Sequence, residues 1–228
     1  MNAFVFCGSK GGAGRTASSV ILAAGLAAIG LRPLHLQLTM PRCPPAVALA
    51  KDVPYSTEWF PDGPATSDSI RRCIQAHPEC ATVVIDLPKM QVKEIALPDL
   101  DAALLLPMRH APHEIEVAAI DYQELDSSEI ACSGRNRHLP VGLSSPWLLP
   151  VGWPLGLDIR DIIRILGKFD ASIQSRKFPP SVVIPGIPDI SRDDLDDLIN
   201  DSSFRCSPMI WEVAATFARN AIKIKRNR

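Results

Sequence analysis

The sequence predicts a single-domain α/β protein with a mostly parallel sheet covered by helices on both faces. A short apolar run at residues 4–7 breaks into glycines and then opens a long Ala-rich helix from Thr16. Further apolar, strand-like runs alternate with helix-like segments along the chain, which is the pattern of βαβ units. The run TVVID at residues 82–86 has the character of a buried strand and ends on a carboxylate. In such sheets ligands bind beyond the carboxyl ends of the strands.

Length and composition support one globular unit. The chain has 228 residues, of which 46% are hydrophobic and 21% charged, enough to bury one substantial core. We therefore expect a single domain over residues 1–228. The formal net charge of -1 gives no overall attraction to nucleic acid or anionic lipid, so any such binding requires a local patch.

The cysteines and the hydropathy pattern indicate a soluble, cytoplasmic protein. The six cysteines are scattered and form no CxxC pair, which favours reduced thiols over metal ligation. The N-terminus has no basic region followed by an apolar segment and a cleavage site. No apolar run reaches membrane-spanning length.

The first glycine-rich segment, FVFCGSKGGAGRT at residues 4–16, reads as a phosphate cradle. Amides freed by its glycines can turn around an anion, and the following helix adds about half a positive charge at its N-terminus. The general P-loop pattern is a glycine, four residues, then Gly-Lys-Ser/Thr. Here Ser9 holds the first place, Gly14 the second, Arg15 the lysine place and Thr16 the hydroxyl place, so two places depart. A tight turn between strand and helix is the structural alternative.

The first half of the chain continues in the same strand and helix alternation. A helix from Thr16 to Ile29 is apolar on nearly every side, and residues 33–38 predict a second strand in which His35 is a strand-face residue. Residues 40–64 contain six prolines and are expected to lack regular structure. Within them Trp59 and Phe60 are either a partner contact or, more in keeping with large aromatics, a plug against the core.

The middle of the chain predicts a helix, two strands and a second long helix. A short helix at residues 68–76 precedes the strand that ends at Asp86, and another strand covers residues 104–107. His110 and His113 begin the next helix and are interpreted as surface or interface residues, since no carboxylate or cysteine partners occur at usable spacing. The inward face of that helix combines Ile115, Ala119, Tyr122 and Leu125.

The last third predicts strands at residues 147–151 and 181–184 and helices at residues 158–173, 191–200 and 209–228. The helix at 158–173 is amphipathic, with one apolar face made of Ile159, Ile162, Ile163, Leu166 and Ile173. Its opposite side carries Arg160, Arg164 and Lys168, a candidate patch for DNA backbone or a solvated face paired with Asp161. The final helix buries one apolar face and ends in a basic cluster. That cluster could meet DNA or an anionic membrane, or simply complement the helix dipole.

Two motifs link the sequence to a known family. Lys10 stands directly before the paired glycines and Ala-Gly-Arg-Thr, so the segment resembles the deviant Walker A motif, KGGxGKT, of the ParA/MinD family of P-loop ATPases. Asp86, Leu87 and Pro88 match the D-x-P element of that family residue for residue. The resemblance implies an ATP-dependent dimer in which Lys10 reaches the nucleotide of the other subunit.

The resemblance also assigns roles to individual residues. Lys10 and Asp86 are expected to be catalytic, and Thr16 and Asp86 are expected to hold Mg²⁺, Asp86 through a bound water. An Asp that only caps a turn is the alternative for Asp86. The residues expected to contact ATP are Lys10, Gly11, Gly12, Ala13, Gly14, Arg15, Thr16 and, in a loop against the purine base, Pro188.

Two departures from the family pattern indicate impaired chemistry. Relatives usually follow the second strand with a D-x-D-P-Q type sequence, whereas here Gln37 and Thr39 stand where acids are expected. Arg15 keeps the positive charge of the usual lysine but is larger, planar and forked. Since phosphoryl transfer depends on the placement of metal and water, we expect weak or slow ATP hydrolysis.

Two functional classes follow from the resemblance. The first is a DNA-segregation or positioning ATPase of the plasmid-partition kind, whose ATP-bound homodimer binds DNA non-specifically and is released by a DNA-bound partner protein; it would be cytoplasmic and nucleoid-associated. The second is a catalytically impaired nucleotide-binding adaptor, acting in conjugative DNA transfer or at a membrane surface. The described patterns favour neither a membrane anchor nor an acceptor-substrate site.

Overall fold

The structure is a computed structural model. It describes residues 1–9, 14–38, 53–60, 66–87, 100–126, 146–154, 156–169, 180–191, 195 and 208–226. Within these residues the strands are β1 (Asn2–Phe6), β2 (Pro33–Gln37), β3 (Ser56–Trp59), β4 (Thr82–Asp86), β5 (Asp101–Arg109), β6 (Trp147–Val151) and β7 (Ser181–Val182). The helices are α1 (Arg15–Ala28), α2 (Ser67–Ala76), α3 (Pro112–Leu125), α4 (Ile159–Phe169) and α5 (Pro208–Arg226).

The described strands form one sheet in the order β3-β2-β4-β1-β5-β6-β7, and every pairing in it is parallel. The expected mostly parallel α/β fold is therefore confirmed. In the centre, Phe6 of β1 is in register with Asp86 of β4 and with Leu105 of β5. The carboxyl ends of these strands lie at the same edge of the sheet, where the segment after β1 begins.

Helices cover both faces of the sheet. On one face α1 packs against α5 and the sheet, around Phe4, Phe6, Leu22 and Phe217. On the other face α3 packs against α4, and Ile70 of α2 joins the same buried cluster. Each strand of the sheet interior is thus buried on both sides, which explains the nearly continuous apolar runs of β1 and β4.

The approach of α1 to α5 is close enough to require a glycine. A Cβ on Gly25 would lie 2.0 Å from the carbonyl oxygen of Ala214 in α5. Burial runs without interruption from Ser18 to Leu26, because α1 is enclosed between the sheet and α5. Gly30 then follows the helix at φ 84°, a left-handed conformation that favours glycine and ends the helix where the sequence predicted.

The expectation that residues 40–64 lack regular structure is wrong at one place. Ser56–Trp59 forms β3, which pairs in parallel with β2 at the edge of the sheet. This four-residue stretch contains no proline, and an edge strand needs a ladder of hydrogen bonds on one side only. Trp59 and Phe60 are both half-buried, and Phe60 packs against the core, which supports its interpretation as a plug.

The predicted faces of the later helices agree with the structure in most positions. The inward face of α3 is buried, as is the apolar face of α5. In α4, Ile162 and Leu166 are buried, but the expectation for Ile159 is wrong because its side chain is 42% exposed. Side chains in a helix tilt toward its N-terminus, and the side chain of the first residue therefore points beyond the end of the helix. The predicted helix at residues 191–200 lies almost wholly outside the described residues.

Candidate nucleotide site

The candidate site lies where α1 begins, over the carboxyl ends of β1 and β4. Gly14 precedes α1 at φ 85°, and its carbonyl oxygen accepts the N–H of Ser18 at 2.8 Å. A glycine suits this position because other residues rarely adopt a positive φ. Four of the expected cradle residues, Lys10, Gly11, Gly12 and Ala13, lie outside the described residues, so their expected roles stay predictions.

Asp86 is the centre of the described site. Its Oδ1 accepts a hydrogen bond from Nε of Arg15 at 2.5 Å, and its Oδ2 accepts one from the hydroxyl of Thr16 at 2.6 Å. The carboxylate is only 1% exposed. Arg15 also donates from Nη1 to the carbonyl oxygen of Gly8 at 3.3 Å. Asp86 therefore binds side chains in the first turn of α1. The alternative, an aspartate that only caps the turn after its own strand, does not describe these contacts.

The donor set around Asp86 fits a protein-bound magnesium ion poorly. Thr16 and Asp86 do lie together, as the sequence led us to expect, and both offer the oxygen ligands that Mg²⁺ prefers. However, a guanidinium nitrogen already lies 2.5 Å from one carboxylate oxygen, and the other oxygen accepts the Thr16 hydroxyl. The charge of the single carboxylate is thus already compensated, and a cation would have to compete with Arg15 for it.

Gln37 occupies the position beside Asp86 where an acid was expected. The two residues are in register on neighbouring strands, so their side chains emerge on the same face of the sheet. Gln37 is fully buried, and within the described part of the chain neither atom of its carboxamide has a hydrogen-bond partner. This neighbour supplies no negative charge to a cation. Thr39, the other expected acid position, lies outside the described residues.

The buried imidazole of His35 on β2 contacts α1. Nε2 of His35 lies 3.0 Å from the hydroxyl of Ser19, and the His35 ring packs edge-on against Tyr55 with centroids 5.9 Å apart. Burial lowers the pKa of His35 to about 4, although the charge of Asp86 opposes this shift. His35 is therefore neutral at pH 7, as suits the strand-face residue that was predicted.

Sequence reasoning missed one residue of the site, Asp121 of α3. Its carboxylate accepts the backbone N–H of Ser9 at 2.6 Å and the Ser9 hydroxyl at 2.7 and 2.9 Å. Asp121 is 2% exposed and sits among the buried residues Ala118, Ala119 and Tyr122. The sequence does show an acidic residue next to the apolar face of this helix, which indicates a buried carboxylate. Only the fold shows that this carboxylate binds Ser9.

The loop that contains Pro188 lies beside the start of α1. Ile187 bridges to Val151 at the end of β6, and the N–H of Gly152 donates to the carbonyl oxygen of Ile187 at 2.9 Å. A Cβ on Gly14 would lie 3.5 Å from Cγ1 of Val151, so the end of β6 lies next to the residue that precedes α1. Pro188 also lines an apolar cavity of about 600 Å³ between this loop, α4 and α5. The loop is thus near the expected phosphate position, as a base-binding loop would need to be.

A second group of metal-type ligands lies away from this site. His77, Glu79 and Cys80 bring ligand atoms within 4.8 Å of one another. His77 contacts Glu58 at 3.0 Å through Nε2 and Glu79 at 3.2 Å through Nδ1, and the hydrogen bond to Glu58 raises the pKa of His77 above its usual value. These contacts favour the protonated ring, which cannot ligate a metal. We interpret the group as a surface ion-pair cluster.

The other cationic and histidine candidates lie on the surface. Arg164 of α4 pairs with Asp161 at 3.1 Å, as the solvated-face interpretation expected, and the side chains of Arg160, Arg164 and Lys168 are exposed. His110 and His113 are also exposed, and His110 packs on Trp153 with centroids 4.9 Å apart. Among the helices that the structure describes, none is both long and apolar enough to cross a membrane.

The chain resembles known proteins in structure far more than in sequence. No protein-family model matches the sequence, and no curated protein matches it significantly. A ParA family ATPase from Chlorobium tepidum TLS matches with a TM-score of 0.60 at 14% identity, over 96% of this chain and 97% of that one. The structure of pNOB8 ParA bound to nonspecific DNA matches with a TM-score of 0.57 at 13% identity, over 99% of each chain.

A chain of the MinC:MinD cell division protein complex from Aquifex aeolicus matches with a TM-score of 0.57 at 13% identity, over 98% of this chain and 96% of that one. The three similarities extend over nearly the whole of each chain, so they concern the complete fold and not only the glycine-rich segment. The protein therefore has the fold of the ParA/MinD-type P-loop ATPases, which confirms at the level of the fold the resemblance noted in the sequence.

Proposed function

We propose that this protein is a ParA-like, ATP-binding switch that forms a homodimer when ATP is bound and acts in DNA segregation or positioning. The observation that carries the proposal is the cluster of Arg15, Thr16 and Asp86 at the N-terminus of α1. It lies in a fold shared with ParA and MinD proteins, one of which is bound to nonspecific DNA. A ParA-like protein needs a phosphate site at this position.

Each part of the site has a role in nucleotide binding under this proposal. The free amides at the start of α1 and the positive end of its dipole attract the phosphates. Arg15 and Thr16 begin α1 directly after residues 10–14, the segment that the sequence predicts to bind the phosphates. The loop with Pro188 contacts the base, and Lys10 contacts the nucleotide of the other subunit. Asp121 holds Ser9 and so fixes where the cradle begins.

Slow hydrolysis is part of the proposal. In-line attack on a phosphate needs a positioned water and compensation of the charge that develops on the phosphate oxygens. Near Asp86 the structure describes a neutral Gln37 and a neutral His35, and Asp86 itself is paired with Arg15. These residues hold a nucleotide better than they activate water, so ATP would persist on the protein.

The dimer is tested by measuring mass with multi-angle light scattering in ATP, in ADP and without nucleotide. We expect a doubled mass in ATP only, and Lys10→Ala to abolish the doubling while leaving ATP binding measurable. Lys168→Ala, which removes an exposed lysine of α4, serves as the matched control and is expected to dimerise normally. An unchanged mass in all three conditions would rule out the ATP-dependent dimer.

The DNA-binding face is proposed to include the exposed cations of α4. Contacts to DNA phosphates release counterions, so binding should weaken steeply with added salt. We expect ATP-dependent retention of plasmid DNA to be lost when Arg160, Arg164 and Lys168 are all changed to Ala. The double change of Arg71 and Arg72 to Ala in α2 is the control. Equal loss in both variants, or no loss in either, contradicts this assignment.

The second candidate is a nucleotide-binding adaptor without catalysis, in conjugative DNA transfer or at a membrane surface. The paired state of Asp86 and the neutral Gln37 favour it, because they remove the charges that hydrolysis uses. ATP binding with neither turnover nor DNA retention would support the adaptor. Liposome binding that is lost on deleting residues 223–228 would support its membrane form. Recruitment to the nucleoid in cells would instead support the segregation switch and a DNA-bound partner protein.

A further inference from the structure

The ion pair between Arg15 and Asp86 changes the electrostatics of the nucleotide site. Among the described residues around Asp86, the guanidinium of Arg15 is the positive group and the Asp86 carboxylate is the negative one. Thr16, Ser19 and Gln37 are uncharged. His35 is neutral as well, because burial lowers its pKa to about 4. Arg15 therefore balances the charge of the Asp86 carboxylate, and the Asp121 carboxylate of the same site is bound to Ser9.

The geometry of Arg15 suits it to contact two partners at once. Nε binds Asp86 and Nη1 binds the carbonyl oxygen of Gly8, and neither of these contacts uses Nη2. A guanidinium is planar and presents donors along separate edges, so one edge can hold a carboxylate while another meets a phosphate oxygen. A lysine ammonium is a compact point charge on a flexible stem and lacks these separate edges.

The position of Arg15 also places its charge where it can act on phosphate. It is the first residue of α1, and its side chain is 25% exposed although Asp86 is almost fully buried. Part of the Arg15 side chain thus reaches solvent, whereas the carboxylate that it contacts does not. A divalent cation held by Asp86 would have to compete with this guanidinium for Oδ1.

We propose that the Arg15 guanidinium replaces a protein-bound divalent cation at Asp86, so that this protein binds nucleoside triphosphate without magnesium. The inference rests on the proposed function, since it concerns the nucleotide site proposed above. It departs from the sequence-based expectation that Thr16 and Asp86 hold Mg²⁺. Phosphate charge is compensated by Arg15 and by the N-terminus of α1.

The test is calorimetric titration of the full-length protein with ATP, in excess MgCl₂ and separately in excess EDTA. We expect the wild-type dissociation constants to agree within about threefold, which is under one kcal/mol. Arg15→Lys is expected to bind at least about tenfold more weakly in EDTA and to recover in MgCl₂, because a lysine leaves Asp86 open to a cation. Arg71→Lys, at an exposed ion pair of α2, is the control and should show no magnesium dependence.

The outcomes separate the inference from the proposed function. Wild-type ATP binding that requires magnesium overturns the inference and leaves the nucleotide-binding proposal standing. No ATP binding in either condition, by protein whose circular dichroism shows it folded, overturns the proposed function itself. If Arg15→Lys behaves like wild type, or if magnesium fails to restore its binding, the assignment to Arg15 is wrong. Because the wild-type comparison needs no variant, it decides even if Arg15→Lys folds poorly.

Discussion

The carboxylate of Asp121 binds both the backbone N–H and the hydroxyl of Ser9, at distances of 2.6 to 2.9 Å. The two residues are 112 positions apart in the sequence, and the contact joins α3 to the third residue after β1. Hydrogen bonds to a charged acceptor are stronger than neutral ones. This contact therefore fixes the starting point of the glycine-rich segment relative to the sheet.

Asp121→Ala is expected to weaken ATP binding by roughly tenfold and to lower the free energy of unfolding by about 1–3 kcal/mol, because Ser9 loses a buried charged acceptor. Calorimetric titration and urea unfolding measure the two effects. Glu116→Ala, at an exposed position of α3, is the control and should change neither. Wild-type ATP affinity in Asp121→Ala would show that Ser9 does not position the cradle.

Gly25→Ala is expected to lower the free energy of unfolding by about 1–3 kcal/mol, the usual cost of overpacking. The new Cβ would meet the carbonyl oxygen of Ala214, so α1 and α5 would have to separate. Helix propensity alone predicts the opposite sign, since Ala is the better helix former by about 1 kcal/mol. Urea unfolding decides between them. The exposed change Ala28→Ser is the control and should shift stability by less than about 0.5 kcal/mol.

The stability of the protein should depend on the ionisation of His35. The unfolded chain takes up a proton near pH 6.5, whereas the folded protein resists protonation until about pH 4. Stability is therefore complete above pH 6.5 and falls as the pH is lowered toward 4, by up to about 3 kcal/mol for this group. In urea unfolding at a series of pH values, His35→Gln should lose this part of the slope. His113→Gln, at an exposed site, should keep it, and identical slopes in all three proteins would contradict the prediction.

Gln37→Leu is expected to raise the free energy of unfolding by about 1 kcal/mol. Within the described residues its buried carboxamide has no hydrogen-bond partner, so removing it relieves the cost of desolvating an amide. Thermal and urea unfolding measure the effect. Gln75→Leu on the exposed side of α2 is the control and should be near neutral. A marked loss of stability in Gln37→Leu would mean that the amide is satisfied by water or by another group.

Local patterns were sufficient for most elements near the site. The sequence alone predicted β4 and β6 with their final bounds, and α1 to within one residue. It also placed Thr16 in the first turn of its helix and Asp86 at the end of its strand, because each position depends only on neighbouring residues. The sequence did not predict β3, since the prolines around Ser56–Trp59 obscured a strand that is stabilised by pairing with β2. It did not predict the exposure of Ile159 either, because periodicity does not show where a helix face ends.

The sequence by itself determined the alternation of strands and helices apart from β3, the phosphate-cradle motif and the absence of acids at Gln37 and Thr39, all of which can be read from short stretches of sequence. Only the tertiary structure decided that Arg15 pairs with Asp86, that Asp121 binds Ser9 and that Gly25 allows α5 to pack closely against α1. These contacts join residues far apart in the chain. Their partners are set by the order of strands in the sheet and by the packing of helices on it, which no local pattern specifies.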